Sequence, residues 1–199
     1  MRKFLFIFAL VFACTALNAF ADDFYVIPSP KPNYAPVEKT GQIVPFYVGD
    51  DGVLRKGVAW PNPRFTDNSN GTVTDNLTGL VWKKYATLSI ASTWYEALNI
   101  CNALAAGPDT GLSDGSVAGD WRLPNIKELL GLIDYGPSYQ ALPANHPFKE
   151  VDPAPYWSST TMSNLSDNSK AWTMGFDMGI ADSNDKSGTC AVWPVRDRK

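Results

Sequence analysis

The stretch Asp120–Leu130, DWRLPNIKELL, carries the clearest local structural signal in the chain. Asn125 is a favoured N-cap residue, and Glu128 follows three positions later, which is the spacing of a reciprocal capping box. Pro124 precedes the cap and disfavours helix before it. Apolar residues then recur at helical spacing as far as Ile133. The pattern predicts a helix that begins after Asn125 and extends past Ile133.

Around this cap we expect a structural motif rather than a ligand site. Trp121 and Leu123 flank Arg122, so the two apolar side chains should fix the entry of the helix to the core. The motif comprises Trp121, Arg122, Leu123, Pro124, Asn125 and Glu128.

An earlier segment predicts a second helix by the same logic. Thr93 and Glu96 form another capping box, and an apolar stripe follows at helical spacing as far as Leu104. Gly107 and Pro108 then mark the end. The stripe includes Cys101, so its side chain should point inward.

The remaining segments predict short strands. An Asn-Gly turn at Asn70 indicates a hairpin starting near Phe65, and residues 43–48 with 53–54 suggest an opening hairpin at a sheet edge. Closing strands are predicted at 156–161, 171–176 and 190–196, with a polar turn over 177–188. The first turn also offers oxygens for calcium, from Asp67, Asn68, Asn70 and Asp75. Their spacing does not match an EF-hand loop, so a bare turn is the preferred interpretation.

The N-terminal residues 1–21 have the pattern of a signal peptide. Two basic residues precede an apolar run, and Ala19–Ala21 forms a small-residue cleavage site. Cleavage after Ala21 would leave a Pro-rich spacer over 22–39 and a domain over 40–199. Lipid attachment at Cys14 is the alternative. Both alternatives, cleavage after Ala21 and lipid attachment at Cys14, predict an exported chain that is periplasmic or extracellular.

Charge and composition exclude several function classes. The net charge is −3, so a nucleic-acid partner is not expected. No apolar run after the leader approaches the length of a membrane span. We recognise no residue set for a cofactor or metal and expect none.

Two cysteines remain after the leader, Cys101 and Cys190. In an exported chain they should form one disulfide. The alternative is a reactive thiol pair.

The irregular, Pro-rich segment after residue 136 is the expected location of ligand contacts, because binding residues concentrate on such segments. The candidates over 136–170 are Tyr139, His146, Asn164 and Asp167.

The order of these landmarks resembles the Lcl C-terminal domain family, a domain of largely unknown function named for the end of a bacterial collagen-like adhesin. The resemblance rests on residues 40–42, 49–52, 57–65 and 75–82, and continues through WYEAL at 94–98, DWRLPNIKEL at 120–129, YWSST at 156–160 and WPVR at 193–196. Part of it is similar to the formylglycine-generating group, whose architecture is C-type-lectin-like. The resemblance implies an α+β fold with two helices on small twisted antiparallel sheets. It also implies a bridge from the first helix to a late strand, which matches Cys101 and Cys190.

Three functions follow as hypotheses. The first is an exported, non-catalytic binding module, adhesin-like, that recognises a glycan or surface polymer. The second is an envelope assembly protein that binds another exported protein through a Trp-rich sheet. The third is an enzyme related to the formylglycine-generating group. We do not expect an enzyme, because His146 is the only histidine and Ser158, Ser159 and Thr160 lack an obvious base.

Overall fold

The structure, a computed structural model, describes residues 37–136, 140–163 and 167–199. Residues 36–199 form one compact unit, which combines helices with two sheets, so the expected α+β class is confirmed. The folded part already includes Lys39, whose backbone N–H donates to the carbonyl of Val58. In the described ranges, no helix has the length and apolar character to cross a membrane.

The first sheet has four antiparallel strands in the order β1-β2-β3-β9. Their bounds are β1 Phe65–Asp67, β2 Thr72–Asp75, β3 Val81–Lys83 and β9 Val195–Arg196. Asp67 pairs with Val73 across the predicted Asn-Gly turn, which confirms this hairpin. Gly71 has a φ of +84°, a conformation that glycine adopts without strain.

The second sheet has five strands in the order β4-β8-β5-β6-β7. Their bounds are β4 Ser89–Ser92, β5 Tyr156–Met162, β6 Lys170–Gly175, β7 Ile180–Asp185 and β8 Cys190–Val192. All its pairings are antiparallel except that of β5 with β8, so the sheet is mixed rather than purely antiparallel. The predicted turn over 177–188 is wrong, because β7 occupies its centre. The polar sequence of β7 suits an edge strand with one exposed face.

Two helices pack on the second sheet, α2 Trp94–Ala103 and α3 Ile126–Leu130. Both capping boxes are present as predicted. However, α3 ends at Leu130, earlier than predicted, and Leu132 and Ile133 are buried beyond its end. The carbonyl of its C-cap, Gly131, accepts a hydrogen bond from Arg64 at 2.7 Å. A partner from outside the helix therefore satisfies a terminal carbonyl.

The predicted opening hairpin is wrong: residues 43–48 are irregular and lead into a single helical turn, α1 Asp51–Leu54. Pro45 lacks a backbone donor for a sheet. The carboxylate of Asp50 accepts from the N–H groups of Phe46, Tyr47 and Val53, so two of the donors that a strand would need are bonded locally.

Trp193 lies where the two sheets meet, between β8 of the second sheet and β9 of the first. Its ring contacts Trp82 on one side and Tyr156, Phe148 and Phe176 on the other, with centroid distances of 4.9–5.6 Å. Its indole N–H donates to the carbonyl of Lys83 at 2.9 Å. The predicted continuous strand over 190–196 is therefore divided, and the residue at the division joins the sheets.

The expected disulfide is not present, since Cys101 and Cys190 are both free and buried. They belong to one apolar cluster where α2 packs on β8. Cys190 Sγ accepts from the side-chain amide of Asn184 at 3.2 Å. Burial raises the pKa of Cys101 to about 12 and also raises that of Cys190. Each thiol therefore fits in the core in its protonated form.

We predict that neither thiol is labelled quickly in the folded protein. With a pKa of about 12, roughly one Cys101 thiol in ten thousand is ionised at pH 8, and the thiolate is the reactive form. Labelling with a maleimide before and after unfolding measures this. In residues 22–199, which lack Cys14, two labels after unfolding would show free thiols, whereas none without reductant would show the disulfide. Rapid labelling of the folded chain would contradict the burial.

Candidate functional site

The motif before α3 has a structural role in this fold. Arg122 forms a bidentate ion pair with Glu128 at 2.7 and 2.8 Å and contacts Asp197 at 3.2 Å. The hydrogen bond with Glu128 is the main cause that raises the pKa of Arg122. Glu128 also accepts from the backbone N–H of Asn125. The carboxylate thus joins the helix start, the preceding loop and, through Arg122, the chain terminus.

A groove of about 450 Å³ lies between α2 and this motif, and we call it the amide groove. Its lining comprises Leu98, Asn99, Asn102, Trp121, Arg122, Leu123, Asn125 and Ser159. Strand β5 holds the motif in place, because Ser159 donates its backbone N–H to the carbonyl of Pro124 at 2.7 Å. The groove is therefore assembled from three separate parts of the chain.

The polar groups of the amide groove are largely unused by the protein. Asn99 and Asn102 are exposed, and within the described ranges their side chains make no hydrogen bond. Asn125 uses its Oδ1 to cap α3, which leaves its NH₂ group available. Each free amide offers two donors and an acceptor. Leu98, which is half-buried, supplies apolar contact beside these groups, whereas Leu123 is buried in the core. Free amides beside an apolar side chain are typical of small-ligand sites.

A larger cleft, of about 600 Å³, lies between β4 and the segment before β5. Its hydroxyl groups are engaged internally: Thr87 donates to the carbonyl of Glu150, and Ser89 accepts from Ser92. Asp152 accepts from the N–H of Ala154. The cleft therefore offers fewer free polar groups than its size suggests, and we prefer the amide groove as the site.

Of the four residues predicted to contact a ligand, the structure describes two, His146 and Asp167. Tyr139 and Asn164 lie outside the described residues. His146 is half-buried against Phe148, with ring centroids 5.7 Å apart, and desolvation lowers its pKa. Asp167 is exposed and accepts from the N–H of Ser169, the main cause that lowers its pKa.

The hydroxyl residues considered for catalysis are not paired with the histidine. Ser158 donates its hydroxyl to the carbonyl of Trp172 at 2.7 Å. Thr160 accepts from the backbone N–H of Ile126 at 3.1 Å, which holds the start of α3. Within the described ranges, His146 makes no hydrogen bond to Ser158, Ser159 or Thr160.

The oxygens that suggested calcium stabilise the hairpin instead. Asp67 pairs with Lys84 at 2.7 Å, and Asn70 accepts from Thr72. Asp75 is buried against Arg64. Among the described residues, no group of three or more metal-binding side chains is assembled.

Comparison with known proteins identifies the family. The Lcl C-terminal domain model matches residues 71–196, more than half of the chain. The chain belongs to the Lcl C-terminal domain family. The match spans β2 to β9, including α2, the motif and the amide groove, whereas residues 37–70 lie outside it. No curated protein sequence matches the chain.

Asn99 and Asn102 were missed in the sequence because the helix was read only for its apolar stripe. Two amides three residues apart share one helix face, and that spacing was visible. Nothing local shows that this face borders the segment 121–125. The sequence therefore showed two asparagines on one helix face but not the segment that this face borders.

Proposed function

We propose that the chain is an exported, non-catalytic binding module of C-type-lectin-like architecture that holds a glycan or similar surface polymer in the amide groove. The observation that carries this proposal is that three asparagines line one groove, and that the side chains of Asn99 and Asn102 make no hydrogen bond among the described residues. Sugar hydroxyls and acetamido groups both donate and accept, as do asparagine amides. Leu98, which is half-buried, provides apolar surface beside these amides for the face of a sugar ring.

The electrostatics of the groove favour a neutral or mildly acidic ligand. Its lining contains one charged side chain, Arg122, and no carboxylate. Glu128 and Asp197 already neutralise most of that charge. We therefore propose neutral, amide- or hydroxyl-rich saccharides as the first candidates, bound without calcium.

The second candidate, an envelope protein that binds a partner through its Trp-rich sheet, has less support. Four of the tryptophans, Trp82, Trp121, Trp157 and Trp193, are fully buried. Their rings stabilise the core and are not available to a partner.

A glycan array tests the proposal with the Asn99→Ala/Asn102→Ala double variant. Each lost ligand hydrogen bond should cost about 1 kcal/mol, so affinity should fall about tenfold or more. Both residues are exposed, so the fold should be unaffected, and a thermal unfolding curve checks this.

Asn168→Ala is the matched control, because Asn168 is an exposed amide outside the groove. It should leave binding unchanged, and so should a chelator. No glycan binding by the folded wild-type chain, or equal losses in the control and double variants, would contradict the proposal.

A further inference from the structure

Residues 43–48, which we call the apolar tip, project side chains that nothing in the described part of the chain covers. Phe46, Tyr47 and Val48 are 82%, 81% and 88% exposed. Ile43 and Val44 beside them are also exposed. Large exposed apolar patches of this kind mark interaction sites.

Polar contacts within residues 42–55 brace the backbone of the apolar tip. Asp50 Oδ2 accepts from the N–H of Phe46 at 2.7 Å. Arg55 donates to the carbonyl of Ile43 at 2.7 Å, and Gln42 donates to the carbonyl of Val44 at 3.2 Å. Gly52 lets the chain pack closely, since a Cβ there would lie 2.3 Å from the carbonyl oxygen of Val44.

These contacts lower the cost of moving the tip into an apolar medium. An unbonded backbone donor or acceptor costs several kcal/mol in hydrocarbon. Here Asp50 takes up the donors of Phe46 and Tyr47, and Arg55 and Gln42 satisfy carbonyls of Ile43 and Val44. The side chains of Phe46, Tyr47 and Val48 remain exposed above these contacts.

The charged residues around the apolar tip differ in how exposed they are. Asp50 and Asp51 are partly buried and engaged in hydrogen bonds, Asp51 with the hydroxyl of Thr40. Within 37–58, the charged residues in the exposed class are Arg55 and Lys56, both cationic, whereas Glu38 and Lys39 are half-buried like the two aspartates. Exposed cations beside an apolar tip complement an anionic lipid surface.

We propose that the apolar tip inserts into the interface of an anionic phospholipid bilayer, with Arg55 and Lys56 at the headgroups. The tip lies outside the matched family domain and shares no residue with the lining of the amide groove. It would therefore place the ligand-binding domain on a membrane surface without spanning the membrane.

Sedimentation with vesicles tests this, using residues 22–199 so that the apolar leader does not contribute. Residues 36–199 form a compact unit, so this chain retains its fold. The vesicles contain phosphatidylcholine and phosphatidylglycerol in a three-to-one ratio. We expect the Phe46→Ser/Tyr47→Ser/Val48→Ser variant to bind at least about tenfold more weakly than wild type. Lys56→Gln should weaken binding about fivefold on these vesicles and have little effect on pure phosphatidylcholine.

The matched control is Tyr95→Ser/Val117→Ser/Met178→Ser, which removes three apolar residues that are 61%, 59% and 66% exposed elsewhere. It should bind vesicles as wild type does. Absence of vesicle binding, or equal loss in both triple variants, would overturn the proposal. So would a dimer in solution that the tip variant alone dissociates, because the tip would then bind a second copy.

Discussion

Replacing Trp193 with alanine is expected to lower the free energy of unfolding by about 3–5 kcal/mol, the range for large aromatic residues in a core. The ring is fully buried and contacts aromatic residues of both sheets, including Trp82 and Tyr156. Its loss also leaves the buried carbonyl of Lys83 without the indole donor, which adds a desolvation cost. Such a loss is a large part of the stability of a domain this size. Chemical denaturation followed by circular dichroism measures it.

Two variants show which part of Trp193 matters. Trp193→Phe keeps most of the aromatic packing but removes the hydrogen bond to Lys83, so its loss should be smaller than that of Trp193→Ala. Tyr95→Ala, at an exposed aromatic residue, should change stability by no more than about 0.5 kcal/mol. If Trp193→Ala were as mild as Tyr95→Ala, the sheets would not depend on this residue.

The parts of the fold that the sequence predicted correctly depend on residues within a few positions of each other. The capping boxes at Thr93 and Asn125 each join residues three apart, and the hairpin at Asn70 follows from one turn. Short-range hydrogen bonding determines such features before any tertiary contact forms. The two capping boxes and the hairpin could therefore be predicted from the sequence.

The features that the sequence did not show depend on distant contacts. Strand β7 is polar and pairs with β6 at a sheet edge, so neither hydrophobic alternation nor a burial signal marks it. At the early end of α3, the C-cap carbonyl of Gly131 accepts from the guanidinium of Arg64, which comes from another part of the fold. Residues 43–48 have strand-like composition, yet Asp50 takes up the donors that a sheet would use.

The candidate site shows the same division. The capping box of Asn125 and Glu128 was predicted correctly, because its two residues are only three positions apart. The amide groove was not predicted, since it forms only when Asn99 and Asn102 on α2 approach Asn125 and the β5 residue Ser159. The predicted contacts His146 and Asp167 were chosen for lying in an irregular segment, which says nothing about where their side chains point.

The buried ion pair between Arg64 and Asp75 gives the second large prediction. Asp75 accepts from Arg64 at 2.9 and 3.1 Å and also from the N–H of Leu77 and the hydroxyl of Thr78. Both members of the ion pair are almost fully buried, with side-chain exposures of 5% and 1%. Through Arg64 the hairpin is also joined to Gly131.

Asp75→Asn is expected to lower the free energy of unfolding by about 3–5 kcal/mol, because it leaves the charge of Arg64 buried without a counter-ion. Removing the charge of Arg64 as well, in Arg64→Met/Asp75→Asn, should lower the free energy of unfolding by less than the sum of the two single variants. A double-mutant cycle in guanidinium chloride measures this difference.

The matched control is Asp67→Asn in the more exposed pair with Lys84, where side-chain exposures are 24% and 35%. There the loss should stay below about 1 kcal/mol. Equal losses for Asp75→Asn and Asp67→Asn would show that burial does not strengthen the inner pair, and additive single effects would show that Arg64 and Asp75 are not coupled.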